Sequence, residues 1–115
     1  MTDVRTITTG DLRNRLDQAT NFEFWNVLTD KWFTGEMIPG SRRMPLDTIE
    51  HNAAGVPKDA EIITYCGGPT CPQSMQAAKK LSELGYTNVR AFEEGLEGWK
   101  AAGHSLEKLE SITTA

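Results

Sequence analysis

Two cysteines occur in the chain, Cys66 and Cys71, and both fall in one short segment, YCGGPTCPQS. The thiolate, not the thiol, is the nucleophile, so a reactive cysteine needs surroundings that hold negative charge. Gly67 and Gly68 let the backbone curl so that successive N–H groups face one point, and a helix starting just beyond adds its positive end. Thr70, Gln73 and Ser74 carry further donors, while Pro69 and Pro72 lack an N–H and stiffen the segment. Cys66 is therefore read as the catalytic candidate. Gly67, Gly68, Pro69, Thr70, Cys71, Pro72, Gln73 and Ser74 are read as an anion cradle that lowers its pKa. The competing reading makes Cys66 a small buried hydrophobe at a strand end, a common fate of free cysteine. Cys71 is either a plain loop residue or a resolving thiol able to form a disulfide with Cys66.

The remaining chemistry-bearing residues offer less. His51 and His104 have no partner at the sequence level and read as surface residues. With the two thiols they lack the second close-spaced ligand pair of a structural zinc site, so neither metal nor organic cofactor is expected. Trp25, Trp32, Phe33 and Trp99 read as core in a domain this small, the alternative being that they line the mouth of the cysteine loop. Arg42 and Arg43 read as an ordinary solvated pair.

A cradle of this kind requires a strand before it and a helix after it. GVPKDAEIITYC reads as a turn followed by a strand at about residues 61 to 65, with the apolar run of a central parallel strand. SMQAAKKLSELG reads as a helix with Met75, Ala78, Leu81 and Leu84 on one side, closed by Gly85 in the left-handed region. Tyr86 to Phe92 reads as a strand, followed by a loop and a short helix around Trp99. Upstream, Thr8 or Thr9 begins a helix carrying Leu12 and Leu16 that ends at Asn21, and FEFWNVL, residues 22 to 28, reads as a buried strand. A loop with Gly35 follows, Pro45 interrupts regularity, and Asp47 is placed to cap a short helix. Alternating strands and helices predict a mostly parallel sheet covered on both faces, with ligands beyond the carboxyl ends of its strands, where Cys66 stands.

The 115 residues fit one domain, 1–115, with a core over about 8–106 and a frayed tail over about 111–115. A net charge of −4 with interspersed signs predicts no nucleic-acid or anionic-lipid partner. No apolar run reaches signal-peptide or membrane-spanning length, and the expected location is the cytoplasm, where thiols stay reduced.

ITYCGGPTCPQSMQAAKKLSELGYTNVRAFEEGLEGWKAAG resembles the C-terminal half of a rhodanese domain: a strand ending in Tyr-Cys, the active loop, a Gly-Tyr turn and a Gly-rich segment ending in Trp. VLTDKWFTGEMIPGSRRMPL resembles the family's upstream segment through Ile38-Pro39-Gly40 and the small residue after it. The resemblance implies the rhodanese-like three-layer α/β fold, a central parallel sheet flanked by helices on both faces. It also implies sulfur transfer. Cys66 would take a sulfane sulfur from a donor such as thiosulfate, carry it as a persulfide and pass it to a small acceptor or a protein thiol, without a cofactor.

The chain departs from the family pattern at several positions. Asn26 and Leu28 stand at the family's frequent Asp and Arg, Trp32 at its Glu, and Glu36-Met37 at its Gly-His, so a common polar cluster is missing. The loop is longer than the common form and has Cys71-Pro72-Gln73 where an arginine is often found. Rhodanese-fold phosphatases and arsenate reductases also have longer loops but rely on that arginine, which sets their chemistry aside here. Two alternatives accompany the sulfurtransferase reading: a catalytically silent binding module, and a dithiol redox protein using Cys66 and Cys71.

Overall fold

A computed structural model describes residues 5–18, 22–68 and 70–108. In chain order the elements are β1 (Arg5–Thr6), α1 (Thr9–Asp17), β2 (Glu23–Asn26), β3 (Glu36–Met37) and β4 (Arg42–Arg43). A single 3-10 turn (Leu46–Thr48) then leads into α2 (Ile49–Asn52), β5 (Ile62–Tyr65), α3 (Gln73–Glu83), β6 (Val89–Phe92), α4 (Gly95–Ala101) and β7 (Glu107–Lys108). Thr8 starts α1 by accepting the Asp11 N–H on its hydroxyl, satisfying one of the donors a helix start leaves free. Gly85 closes α3 at φ +103°, the conformation a side chain resists.

β5 has no solvent face: all four of its residues are buried, as a strand covered on both sides requires. The main sheet runs β1-β6-β5-β2-β4, with every pair parallel and β5 at its centre. From β1 the chain crosses to β2 in one direction, and from β4 to β5 to β6 it returns in the other. Right-handed crossovers in opposite directions put α1 on one face and α2 and α3 on the other. α3 packs on β5 and β6, and α2 on α3. On the opposite face Arg15 of α1 pairs with Glu61, and the Thr9 N–H donates to Glu94 just before α4. This is the predicted three-layer α/β arrangement.

Several local expectations are corrected. The strand expected from Tyr86 begins only at Val89, because the Tyr86 hydroxyl is directed to the Ala53 carbonyl and Tyr86 N–H to Leu81, which closes the helix turn. Asp47 caps nothing: Pro45 stands at the start of the 3-10 turn, and no side-chain cap bond forms there or at Thr48. The expected helix end at Asn21 and the tail at 111–115 lie outside the described residues. β1, β4 and the antiparallel β3–β7 pair are additional strands of two residues each.

Arg43 is not a solvated residue. Its guanidinium donates to the Asn26 carbonyl, the Asn26 side-chain oxygen, the Leu28 carbonyl and Asp30, and lies 4.0 Å from the centre of the Phe33 ring. Asn26, fully buried, also accepts the Leu28 N–H. A polar cluster is thus assembled from Asn26, Asp30 and Arg43, although the family's usual positions for one hold Asn and Leu. Arg42 is exposed, as expected.

Candidate functional site

Cys66 follows directly on β5, so the central strand delivers its sulfur to the carboxyl edge of the sheet. The two strands beside β5 hold it rigidly: Asn26 and Phe92 flank Tyr65 in register. The Tyr65 hydroxyl accepts the Ile38 N–H at 3.0 Å and meets the Ser41 hydroxyl at 2.6 Å, fastening the Ile38-Pro39-Gly40 segment to the end of the same strand.

Cys66 and Cys71 are both free thiols, but they are placed differently. Cys66 is fully buried, and its S–H donates to the Cys71 carbonyl at 3.3 Å. Cys71 is half-buried and lines a cleft of about 660 Å³ bordered also by Leu28, Trp32, Gly68, Leu96 and Glu97. Cys66 therefore lies beneath the loop and Cys71 at its surface.

The expectation of a lowered Cys66 pKa is corrected. Burial, first, and the neighbouring Cys71 thiol, second, push it up. The Ser74 N–H and hydroxyl face the sulfur and oppose the rise without overcoming it. That hydroxyl is buried and has no hydrogen-bond partner among the described residues, so it remains available to a developing negative charge.

Other loop groups are committed elsewhere. The Cys71 N–H closes a turn onto the Gly68 carbonyl at 3.0 Å. The Gln73 amide exchanges two hydrogen bonds with Thr29, tying α3 to the segment after β2. Thr70 and Pro72 are exposed, and Pro69 lies outside the described residues.

The raised pKa has a direct kinetic consequence. Alkylation of Cys66 by a neutral reagent such as iodoacetamide should be slow at pH 7 and climb tenfold per pH unit through the alkaline range, because only the thiolate reacts. Peptide mapping of the alkylated chain reads this out. A Cys66 rate that levels off below pH 7 would mean a stabilised thiolate and contradict the geometry. Stability follows the same sign: a folded pKa above the unfolded one favours the fold at lower pH and loses that contribution as pH rises through the folded value.

One residue of the site, Gly95, carries no reactive signature in the sequence. Gly95 opens α4 at φ +59°, and a Cβ built there would fall 2.8 Å from the Gly68 nitrogen, 3.0 Å from the Gly67 carbonyl carbon and closer still to the Cys66 oxygen. The helix start can press against the cysteine loop only because the side chain is missing. The next two N–H groups, of Leu96 and Glu97, donate to the Cys66 and Gly67 carbonyls at 3.0 and 2.9 Å. The glycine directly after the strand–turn segment AFEE was the available signal, but its partner is remote in sequence.

Of the aromatic residues, Trp25 and Trp99 are core, as expected, whereas Trp32 is 62% exposed on the cleft wall and Phe33 is half-buried beneath Arg43. Trp32 follows a turn that carries it away from the sheet, so the core expectation is corrected there. His51 is exposed. His104 is not free on the surface but rests on Trp99, ring centres 4.4 Å apart. Among the described residues no group of three or more His, Cys, Asp or Glu is placed to hold a metal ion. Nor is any helix long and apolar enough to cross a membrane.

Fold and site together define a cysteine-centred α/β domain, with the thiol at the carboxyl end of the middle strand under a loop that leads into a helix. A rhodanese-like domain model matches residues 8–102, and the chain belongs to that family. A sulfurtransferase of Allochromatium vinosum is 26% identical over 100 residues, covering 87% of this chain and 92% of that protein. Among solved structures, a Bacillus halodurans protein superposes with a TM-score of 0.82 at 25% identity, covering 91% of this chain and 77% of the other. A thiosulfate sulfurtransferase of Pseudomonas aeruginosa superposes with a TM-score of 0.78 at 28% identity, over 91% of this chain and 20% of that one. The family is thus a sulfurtransferase-like one, as the rhodanese resemblance implied.

Proposed function

We propose that the protein is a sulfurtransferase or persulfide carrier in which Cys66 is the nucleophile. The observation that carries this reading is the Cys66 sulfur at the end of β5, faced by the N–H and the otherwise unpartnered hydroxyl of Ser74. In the first half-reaction the Cys66 sulfur attacks the sulfane sulfur of a donor such as thiosulfate. The new S–S bond leaves a persulfide on Cys66, and the donor departs with the electron pair of the broken bond, as sulfite when thiosulfate is used. In the second, a thiophilic acceptor, a small molecule or a protein thiol, takes the outer sulfur and Cys66 regains its thiol. The donors of Ser74 stabilise sulfur charge in both steps.

Cys71 is the candidate resolving thiol, supported by its carbonyl contact with Cys66 and its place on the cleft. Its sulfur attacks the inner sulfur of the persulfide, forming a Cys66–Cys71 disulfide and expelling hydrosulfide. One intact-mass experiment tests both roles. After a sulfane donor is added, wild type should gain one sulfur on Cys66 and then decay to a disulfide with hydrosulfide release, whereas Cys71→Ala should keep the added sulfur. Failure of any sulfane donor to load Cys66 would remove the transferase reading, and equal persistence in both proteins would remove the role of Cys71.

A further inference from the structure

Resting on the sulfurtransferase reading, we infer that Glu97 selects against oxyanion donors and that the cleft takes its sulfur from a small organic persulfide whose organic body is neutral or cationic. A Cβ built on Gly68 would fall 2.5 Å from Oε2 of Glu97 and 2.9 Å from its carboxyl carbon, so the carboxylate lies against the loop that covers Cys66. The backbone holds the base of this exposed side chain beside the loop, because the Glu97 N–H is bonded to the Gly67 carbonyl at 2.9 Å. Between Cys66 and Ser74 there is no cationic side chain. Lys100 is the sole cation among the described residues that line the cleft, where Glu36 and Glu97 also stand. Among the described residues neither Glu97 nor Lys100 joins an ion pair. A dianion approaching the loop therefore meets the Glu97 carboxylate beside it and Glu36 in the same lining, with one lysine to offset them.

The cleft walls favour an organic body. Leu28, Leu96, Leu106 and the exposed face of Trp32 line it, and its volume of about 660 Å³ exceeds what a small inorganic anion such as thiosulfate fills. An organic persulfide also suits a thiol whose pKa is pushed up. Cys66 loses its proton as its sulfur bonds to the outer sulfur of the donor R–S–SH. The S–S bond of the donor breaks, its electron pair leaves on R–S⁻, and that thiolate takes up a proton to become R–SH. With the donor reacting in its protonated form, the reacting sulfurs carry no net charge before or after transfer, whereas thiosulfate brings a dianion to the buried site.

The test compares rates of sulfur loading on Cys66, read by intact mass, for three donors: thiosulfate, the persulfide of mercaptoethanol with its neutral body and the persulfide of cysteamine with its cationic ammonium. Wild type should load from both organic persulfides at least tenfold faster than from thiosulfate, with cysteamine persulfide the fastest. In Glu97→Gln the ratio of the thiosulfate rate to the cysteamine persulfide rate should rise about tenfold, the scale of one surface charge acting on a dianion a few ångströms away. Raising ionic strength should speed thiosulfate loading in wild type and do so less in Glu97→Gln, a change in salt response that a purely structural role for Glu97 does not produce. Thiosulfate loading as fast as the organic donors, or a ratio and salt response unchanged by the substitution, overturns the inference and leaves the transferase reading standing. Loading from no donor at all overturns both.

Discussion

Serine in place of Cys66 should leave the chain folded and unable to carry sulfur. The hydroxyl is nearly isosteric with the thiol and can donate to the same Cys71 carbonyl that Cys66 reaches at 3.3 Å, so the loop keeps its internal bond. The stability cost is expected to be about 1 kcal/mol, the ordinary scale of one altered buried hydrogen bond. Sulfur transfer should fall by at least about a thousandfold, since an alcohol neither ionises in the accessible pH range nor forms a stable bond to sulfane sulfur, and removing a nucleophile removes the covalent route altogether. Thermal melting together with intact mass after donor addition separates the two effects. Persistent turnover in a folded Cys66→Ser protein would put the reacting sulfur elsewhere, with Cys71 the only other thiol in the chain.

The second large effect belongs to Gly95, a residue with no reactive group. Alanine there must adopt φ +59° and place its methyl against three backbone atoms of the cysteine loop. Gly103 provides the control: its φ is +91°, but a Cβ there meets nothing within 4 Å. Gly103→Ala should therefore cost only the left-handed penalty, about 1 kcal/mol. Gly95→Ala adds a clash that only movement of backbone can relieve, for a total of about 3 kcal/mol. Relief requires α4 to withdraw or the loop to shift, and either lengthens the bonds from Leu96 and Glu97 to the Cys66 and Gly67 carbonyls. Cys66 should then alkylate about tenfold faster than in wild type at the same pH, as the cover over the sulfur loosens. Equal denaturation midpoints for the two alanine variants, with no change in Cys66 alkylation, would show that the close approach is without consequence.

Those two residues mark what could and could not be read along the chain. β5 was legible because Ile62, Ile63 and Tyr65 form a run with no polar alternation, and that pattern alone implies cover on both faces. α3 was legible from the spacing of its apolar residues and the glycine after it. Cys66 stood out because its type and the glycines beside it are local facts. The two-residue strands were not legible: β1, β4, β3 and β7 are defined by what they pair with, and two residues carry no periodicity. Arg43 illustrates the same limit, since a guanidinium beside another arginine looks solvated until Asn26, Asp30 and the Leu28 carbonyl are brought round it. The direction of the Cys66 pKa shift was not legible for a related reason. The donors beside it are local facts of the sequence, whereas its ionisation is governed by how deeply the fold sets the sulfur and by which donors are already engaged, the Cys71 N–H by the Gly68 carbonyl and the Gln73 amide by Thr29.

The three tryptophans are divided by the fold in a way that makes the protein its own optical indicator. Trp25 and Trp99 are 0% and 2% exposed, while Trp32 is 62% exposed on the cleft wall with Lys31 at 5.7 Å from its ring centre. A water-borne collisional quencher reaches one indole and is shielded from the other two, so the quenchable fraction of the emission comes from the cleft wall alone. Occupation of the cleft is thereby written into the intrinsic fluorescence, with no label added.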